Sequence, residues 1–338
     1  MRLLFIKLKH IGDALLLTPA LAAARAAYPA AEIWVVVRRG TEGILAGCPA
    51  IDRVLTSAAV EPERRTCRAW WSEVRLVAEL RRAGVDYAFD LTHSDRGRLL
   101  AGLSGARHRC ADGMVYPPRW PWRCLLNGLS REDWSQGHRA EADWRVVNAL
   151  LPLAGAAAGP LVFDRARAAH CRFSGGKPGV VLHPATRWAR KRWLPERWSQ
   201  LARAFTAAGH PVIVSVGPAA EEIALGEAIV TAAGAGAVST GGQLNWSQLA
   251  GLLHEARLFV GVDTAAMHLA AACGCPTVAL FHSRSQAAVW SPWRVRSAVL
   301  LPPGAAVEGQ MEEISVEAVW STSERLLVPG GAPPLRAG

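Results

Sequence analysis

The sequence predicts an α/β protein built from two Rossmann-like domains facing one cleft. Two turns carry that prediction. Lys7-Leu8-Lys9-His10-Ile11-Gly12-Asp13 lies near the start, and Val260-Gly261-Val262-Asp263-Thr264-Ala265-Ala266-Met267-His268 lies in the C-terminal third. Each follows a short apolar run and opens into an Ala/Leu-rich one. A buried strand, a turn bearing Gly and a carboxylate, and then a helix is the arrangement with which open α/β sheets seat ligands. The third observation is size. A chain of 338 residues, 51% hydrophobic and 20% charged, can fill two cores and is not a disordered polymer.

The elements follow from periodicity. Residues 3–8 read as the first strand, 14–28 as a helix closed by Pro29, and 33–37 as the next strand, which makes a parallel βαβ unit. Residues 45–54 give a short helix and strand, 70–83 a helix and 87–91 a strand. From 105 to 144 the pattern fails. Trp120, Trp122, Trp134 and Trp144 interleave with Arg107, Arg109, Arg119, Arg123, Arg131 and Arg139, and the segment is expected to be irregular, functional or mobile rather than core. The Ala/Gly/Pro-rich residues 151–178 read as a linker. The second half alternates more cleanly, with strands at 180–183, 212–216, 258–262 and 277–281 and helices at 195–208, 221–233, 245–255 and 265–274. The expected organisation is a domain over 1–165, a second over 166–328, and a frayed tail over 329–338.

Composition narrows the function. The net charge of +10 favours anionic partners (nucleic acid, phosphorylated sugars or an anionic membrane), although an Arg-heavy composition produces the same number. No RNP-type or zinc-finger signature is present, so no nucleic-acid partner is expected. The absence of GxGxxG and of a Walker A motif argues against a dinucleotide enzyme and a P-loop NTPase. Seven cysteines without a CxxC pair or zinc spacing suggest buried, reduced thiols in a cytosolic protein. The opening apolar run is too short for a signal peptide, and no stretch of 18 uncharged apolar residues occurs.

Four places carry chemistry. Asp13 sits where a helix starts, so it is either an N-cap or a carboxylate held ionised by the helix dipole and able to take a proton from a hydroxyl. Asp263, Thr264, Ala265 and His268 lie at a second helix start. There they serve as cap and packing, or the free N–H groups bind a diphosphate, with small Ala265 allowing close approach and His268 one turn further on. His183-Pro184-Ala185-Thr186-Arg187 through Lys191 follows another strand end, and is either a solvated basic loop or a cationic clamp on a leaving diphosphate. Glu221 and Glu222 are first-turn acids, or one of them grips ribose hydroxyls.

Together these residues resemble the ADP-heptose:lipopolysaccharide heptosyltransferases, glycosyltransferase family 9. The resembling pieces are 7–19, 187–198, Gly241-Gly242-Gln243-Leu244, 261–272 and 276–281, in the family's order across nearly the whole chain. The opening and the Arg-Trp…Lys-Arg-Trp segment look most like the type III branch. The resemblance implies a GT-B architecture, with the acceptor on the N-terminal domain and ADP-heptose on the C-terminal one. It implies that Asp13 is the catalytic base, that Lys191 binds the diphosphate with Asp263, Thr264, Ala265, His268 and Thr186, and that Glu221 or Glu222 binds the nucleoside. Ala265 stands where many members have Gly, and His282-Ser283 replaces a frequent Gly-Pro. A length difference before Lys191 leaves Arg190 or Arg192 as substitutes.

The implied reaction is inverting transfer of heptose from ADP-heptose to the inner core of lipopolysaccharide. No cofactor is required, and no DxD-type metal motif occurs. The partners would be ADP-heptose, a lipid A–Kdo core precursor and, peripherally, the inner face of the cytoplasmic membrane. His10, Arg107, Arg109, Trp120 and Arg123 are the candidates for holding the acceptor, whose phosphates and carboxylates suit Arg and whose rings suit Trp. The competing readings are a GT-B enzyme with a different nucleotide sugar, and an ADP-sugar-binding relative without catalysis.

Overall fold

Two compact units divide the chain, Met1–Val162 and Phe163–Gly338. The computed structural model describes residues 1–58, 67–170, 179–303 and 309–328. Each unit holds a six-stranded, wholly parallel sheet.

In the N-terminal unit the strands are β1 (Arg2–Lys7), β2 (Glu32–Arg38), β3 (Arg53–Ser57), β4 (Tyr87–Asp90), β5 (His108–Asp112) and β6 (Gly128–Ser130). Their order is β3-β2-β1-β4-β5-β6. This is the doubly wound arrangement, reversing direction between β1 and β4. A parallel sheet is covered on both faces, so its central strand is apolar on both sides. Accordingly Leu3, Leu4, Phe5 and Ile6 are all fully buried. Leu4 and Ile6 pack with Leu76, Leu80 and Leu100, while Phe5 stacks on Phe89 with ring centroids 5.3 Å apart. The covering helices include α1 (Ile11–Leu16), α2 (Thr18–Ala27), α3 (Cys67–Ala83), α4 (Asp95–Leu103) and α5 (Arg139–Asn148).

The single helix expected at 14–28 is in fact two, with a break at Leu17. Pro19 has no N–H to give to the Leu15 carbonyl. The Thr18 hydroxyl donates to that carbonyl instead, at 2.7 Å, and accepts from the Val162 N–H at 3.1 Å.

The stretch expected to be irregular at 105–144 is regular and buried only in part, and Arg107, Arg119, Trp120, Arg123 and Arg131 on it are exposed. It contains β5, β6 and the start of α5, and Trp134, Trp144 and Arg139 are buried. The strands are too short, β6 being three residues, to register as an alternation. The described part of the expected linker is packed as well: Ala158 and Leu161 are buried, and the Tyr28 hydroxyl donates to the Pro152 carbonyl at 2.8 Å.

The C-terminal unit has β7 (Val180–His183), β8 (Val212–Val214), β9 (Ala237–Ser239), β10 (Leu258–Val262), β11 (Thr277–Leu280) and β12 (Ser297–Leu300), in the order β12-β11-β10-β7-β8-β9. This repeats the first unit's order, with the reversal between β7 and β10. Its core centres on Trp198, Phe205, Leu182 and Val260, and Trp193 meets Trp198 edge-on at 5.0 Å. The helices are α6 (Pro195–Ala207), α7 (Ala220–Ala233), α8 (Trp246–Glu255), α9 (Ala265–Ala272), α10 (Arg284–Trp290) and α11 (Val316–Leu327). The sequence pattern left α4, β9, α10, β12 and α11 unassigned. The expected tail at 329–338, and residues 171–178 of the expected linker, lie outside the described residues.

The six described cysteines form no disulfide, but only Cys48, Cys110 and Cys275 are buried, while Cys67 and Cys124 are exposed. Burial pushes the Cys110 and Cys275 thiols up to about 12. Among the described residues no helix is long and apolar enough to cross a membrane.

Candidate active site

In the C-terminal unit the loops after β7 and β10 leave the sheet on either side of its reversal, which opens the crevice that such sheets use for ligands. The β7 loop carries Thr186 and Lys191, and the β10 turn carries Asp263 and Thr264. Gly261 leaves room at the end of β10 for the Phe259 ring, which a Cβ there would meet at 2.7 Å. Lys191 Nζ lies 2.5 Å from Asp263 Oδ2, with the two side chains only 15% and 7% exposed. Burial pushes the Asp263 carboxyl upward, and the Lys191 ammonium opposes that. Of the three basic candidates, Lys191 alone points at Asp263. Arg190 and Arg192 are exposed, and the Arg190 guanidinium sits 5.7 Å from the Trp188 ring.

Thr264 occupies the N-cap position of α9 but makes no side-chain cap bond, since its hydroxyl donates backwards to the Val262 carbonyl at 3.3 Å. The first-turn amides therefore keep their capacity for an anion, and the dipole favours one there. Ala265 is half-buried and adds only a methyl group at that helix start. His268, one turn along, is buried with Nδ1 unpaired. Burial, and secondarily Lys191, pushes its pKa down to about 3, so it is a neutral imidazole at pH 7. His183 at the end of β7 is held near 4 by burial, with Nδ1 3.4 Å from Ser215 Oγ. The buried Thr186 accepts from the Trp188 N–H at 3.3 Å.

The two acids of α7 differ. Glu221 is exposed, whereas Glu222 folds back over the loop after β8 and accepts from the Gly217 N–H at 2.8 Å. Gly242 backs onto the same loop with φ +69, and a Cβ there would come within 2.5 Å of the Gly217 carbonyl. Glu222 is thus aimed at the carboxyl edge of the sheet, with one oxygen held by the loop.

In the N-terminal unit Asp13 sits at the third position of α1, and its Oδ2 accepts from the His10 N–H at 3.2 Å. Both readings of Asp13 remain in this geometry: one oxygen ties down the helix start, while Oδ1 is buried without a partner. Around it lies a polar cluster that sequence reasoning missed. Lys7 is fully buried and pairs with Asp143, at 2.8 Å to Oδ1 and 2.5 Å to Oδ2. Burial lowers the Lys7 and Lys9 ammonium pKa values, and both groups feel Asp13, Asp143 and Arg139. Thr92, just after β4, ties the strand ends together: its hydroxyl accepts from the Leu8 N–H at 2.9 Å and donates to the Ile6 carbonyl at 3.2 Å. Asp90 is buried, its Oδ2 accepts no hydrogen bond but faces Arg98 Nε at 3.9 Å, and its carboxyl is pushed up to about 7 by burial, against Thr92, Arg98 and Lys7. His93 adopts the left-handed φ of 57, and its ring packs 4.7 Å from Trp134. Arg139 lies over the same Trp134 ring at 4.3 Å, buried, with Nε and Nη2 unpaired. The signal for this cluster was present as Asp90-Leu91-Thr92-His93, a polar run directly after an apolar strand.

The expected acceptor residues do not gather here. His10 is beside Asp13, but Arg109 pairs in register with Ala88 and so with Leu4, near the opposite end of the strands. Its guanidinium is spent on the Leu125 and Ala106 carbonyls, at 2.7 and 3.0 Å. Arg107 lies two residues further from Asp13 along the same strand direction. Trp120 and Arg123 are exposed on the segment that packs against α4. Poor periodicity had drawn these residues together, whereas strand register separates them. Among the described residues no group of three or more His, Cys, Asp or Glu is placed to hold a metal ion.

The architecture matches solved structures closely. The glycosyl transferase family 9 protein from Veillonella parvula superposes with a TM-score of 0.81 at 20% identity, covering 96% of this chain and 97% of that one. E. coli heptosyltransferase WaaC with ADP superposes with a TM-score of 0.80 at 20% identity, covering 96% and 100%. The fold is therefore that of a GT-B glycosyltransferase. Lipopolysaccharide heptosyltransferase 1 of Pseudomonas aeruginosa is 30% identical over 304 residues, 83% of this chain and 78% of that protein. Lipopolysaccharide heptosyltransferase 3 of Escherichia coli is 26% identical over 288 residues, 83% of each. The family model Glycosyltransferase family 9 (heptosyltransferase) matches residues 159–313. The chain belongs to this family of heptosyltransferases.

Proposed function

We propose that the protein transfers heptose from ADP-heptose to the inner core of lipopolysaccharide with inversion, using Asp13 as the base. The observation that carries this is the Lys191–Asp263 contact beside the uncapped start of α9, at the reversal of the C-terminal sheet. An ammonium held in place by Asp263 and free helix amides offer fixed hydrogen-bond donors, which suit a departing diphosphate. Such a site stabilises charge as it develops and needs no reorganisation.

In this reading ADP lies along the carboxyl edge of the C-terminal sheet. Lys191 and the amides at Thr264, Ala265 and Ala266 take the diphosphate, and neutral His268 and the Thr186 hydroxyl donate or accept hydrogen bonds as the oxygens require. Glu222 takes the ribose hydroxyls. Asp13 accepts the proton of the acceptor hydroxyl as that oxygen attacks the anomeric carbon opposite ADP. Arg139, with two buried donors unpaired, is suited to a carboxylate or phosphate of the acceptor. The acceptor is a lipid A–Kdo core precursor, so the enzyme works peripherally at the inner face of the cytoplasmic membrane, in the manner of the type III branch.

Calorimetry with ADP, UDP and GDP tests the donor, followed by transfer from ADP-heptose to a core acceptor. ADP selectivity with transfer is expected. A preference for UDP or GDP would replace the donor, and ADP binding without transfer would make the chain a non-catalytic relative.

A further inference from the structure

The strongest feature outside the transfer site is an apolar groove of about 890 Å³ on the N-terminal unit, between α3 and α4. Trp70, Val74, Val77, Leu99, Leu103 and Trp122 line it. Its rim is unusually apolar for a surface. Trp70 and Trp71 are 62% and 56% exposed, and their rings meet edge-on at 5.0 Å. Trp120, two residues before Trp122, is 82% exposed. An exposed indole pair beside an apolar groove, with a third exposed indole two residues from its lining, marks a surface that something covers.

Charge says what covers it. The two acids in the groove wall are already matched: the Glu73 carboxylate accepts from Ser57 Oγ at 2.9 Å and faces Arg96 at 3.3 Å, while Asp95 faces Arg98 at 3.2 Å. Arg75, one helical turn after Trp71, is exposed, as are Arg119 and Arg123 flanking Trp120 and Trp122, and none of the three makes an ion pair among the described residues. Among the described residues the rim therefore presents positive charge without an ion-pair partner, beside exposed indoles. Indole seats at the boundary between headgroups and acyl chains, and arginine beside it pairs with anionic headgroups.

We propose that this α3–α4 groove, with Trp70, Trp71 and Trp120 at its rim, is the face by which the protein docks on an anionic phospholipid bilayer. The proposal deepens the transfer reading by naming the surface that meets the membrane, and rests on that reading only for the acceptor's lipid character.

The test is co-sedimentation of the full chain with phosphatidylethanolamine/phosphatidylglycerol vesicles and with pure phosphatidylcholine vesicles. Three variants are compared: Trp120→Ser, Trp70→Ser/Trp71→Ser/Trp120→Ser, and Arg75→Glu/Arg119→Glu/Arg123→Glu. Trp120 is too exposed for its loss to unfold the chain, so the single variant guards against misfolding of the triple ones. Binding to anionic vesicles is expected to exceed binding to phosphatidylcholine by about tenfold or more. It should fall several-fold in the single variant and about tenfold or more in each triple variant. Wild-type protein that ignores anionic vesicles, or variants that bind as the wild type does, would overturn the proposal. So would a concentration-dependent dimer that the Trp variants abolish, since the face would then cover a second copy. ADP affinity, measured on the same samples, separates the two readings: its absence alongside vesicle binding would remove the nucleotide-sugar reading and leave the docking face.

Discussion

Lys191 Nζ sits 2.5 Å from Asp263 Oδ2, joining residues 72 apart in sequence across the reversal of the C-terminal sheet. Lys191→Ala removes a charged partner of the diphosphate, and should weaken ADP by about 2 kcal/mol, roughly thirtyfold in Kd. It also strands a buried carboxylate, so the melting temperature should drop. Adding Asp263→Asn should restore melting without restoring ADP affinity. Recovery of both together would mean that Lys191 acts only as Asp263's structural partner.

Asp13→Asn keeps an oxygen for the His10 N–H but cannot accept a proton. Turnover should fall by about 10²- to 10⁴-fold, with ADP affinity within about twofold of wild type. Asp13→Ala should add about 1 kcal/mol of destabilisation from the lost bond at the helix start. Near-normal turnover in Asp13→Asn would reduce Asp13 to a cap.

Glu222 holds the Gly217 N–H at 2.8 Å, whereas Glu221 is exposed. Glu222→Gln retains that bond through its amide oxygen, so folding should be preserved while ADP binding weakens about tenfold through the ribose hydroxyls. Glu221→Gln should change neither property. The reverse pattern in calorimetry would assign the nucleoside to Glu221.

Lys7 and Asp143 form an ion pair with both side chains wholly buried. Lys7→Met should cost about 3–5 kcal/mol, because the Asp143 charge is left without a partner. Lys7→Met/Asp143→Leu should recover most of that in urea melts. If the double variant is as unstable as the single one, the hydrogen-bond geometry rather than the stranded charge accounts for the loss.

Two titrations oppose one another. Burial raises the Asp90 carboxyl from 3.8 to about 7, so in that window the native state holds a proton the unfolded chain has released, and stability falls as pH rises. Burial lowers His183 from 6.5 to about 4 and His268 from 6.5 to about 3, so the unfolded chain takes up protons first, and stability falls as pH drops below 6.5. Melting curves should show Asp90→Asn gaining more at about pH 8 than at about pH 4, and His268→Gln flattening the acid limb. Equal gains for Asp90→Asn at both values would contradict the raised carboxyl.

Apolar runs and glycine-bearing turns made the strands of both sheets legible, because a strand buried on both faces must be apolar along its length. That logic located β1, β7 and β10, and the polar residues that follow them. It failed where strands are both short and only partly buried, as in β6 and β9, and where a helix breaks for a local chemical reason, as at Thr18-Pro19. It also grouped Arg107 and Arg109 with the acceptor site on composition alone.

By itself, then, the sequence determined the α/β class, the turns that carry Asp13, Asp263 and His268, and the choice of candidates along them, since local pattern encodes local structure. Only the tertiary structure decided that Lys191 rather than Arg190 or Arg192 meets Asp263. It alone turned Glu222 toward Gly217, pointed Arg109 away from Asp13, and drew Lys7, Asp90, His93, Arg139 and Asp143 into one buried cluster. Those relationships depend on strand order and register, which bring residues distant along the chain into van der Waals and hydrogen-bond range, and no local pattern contains them.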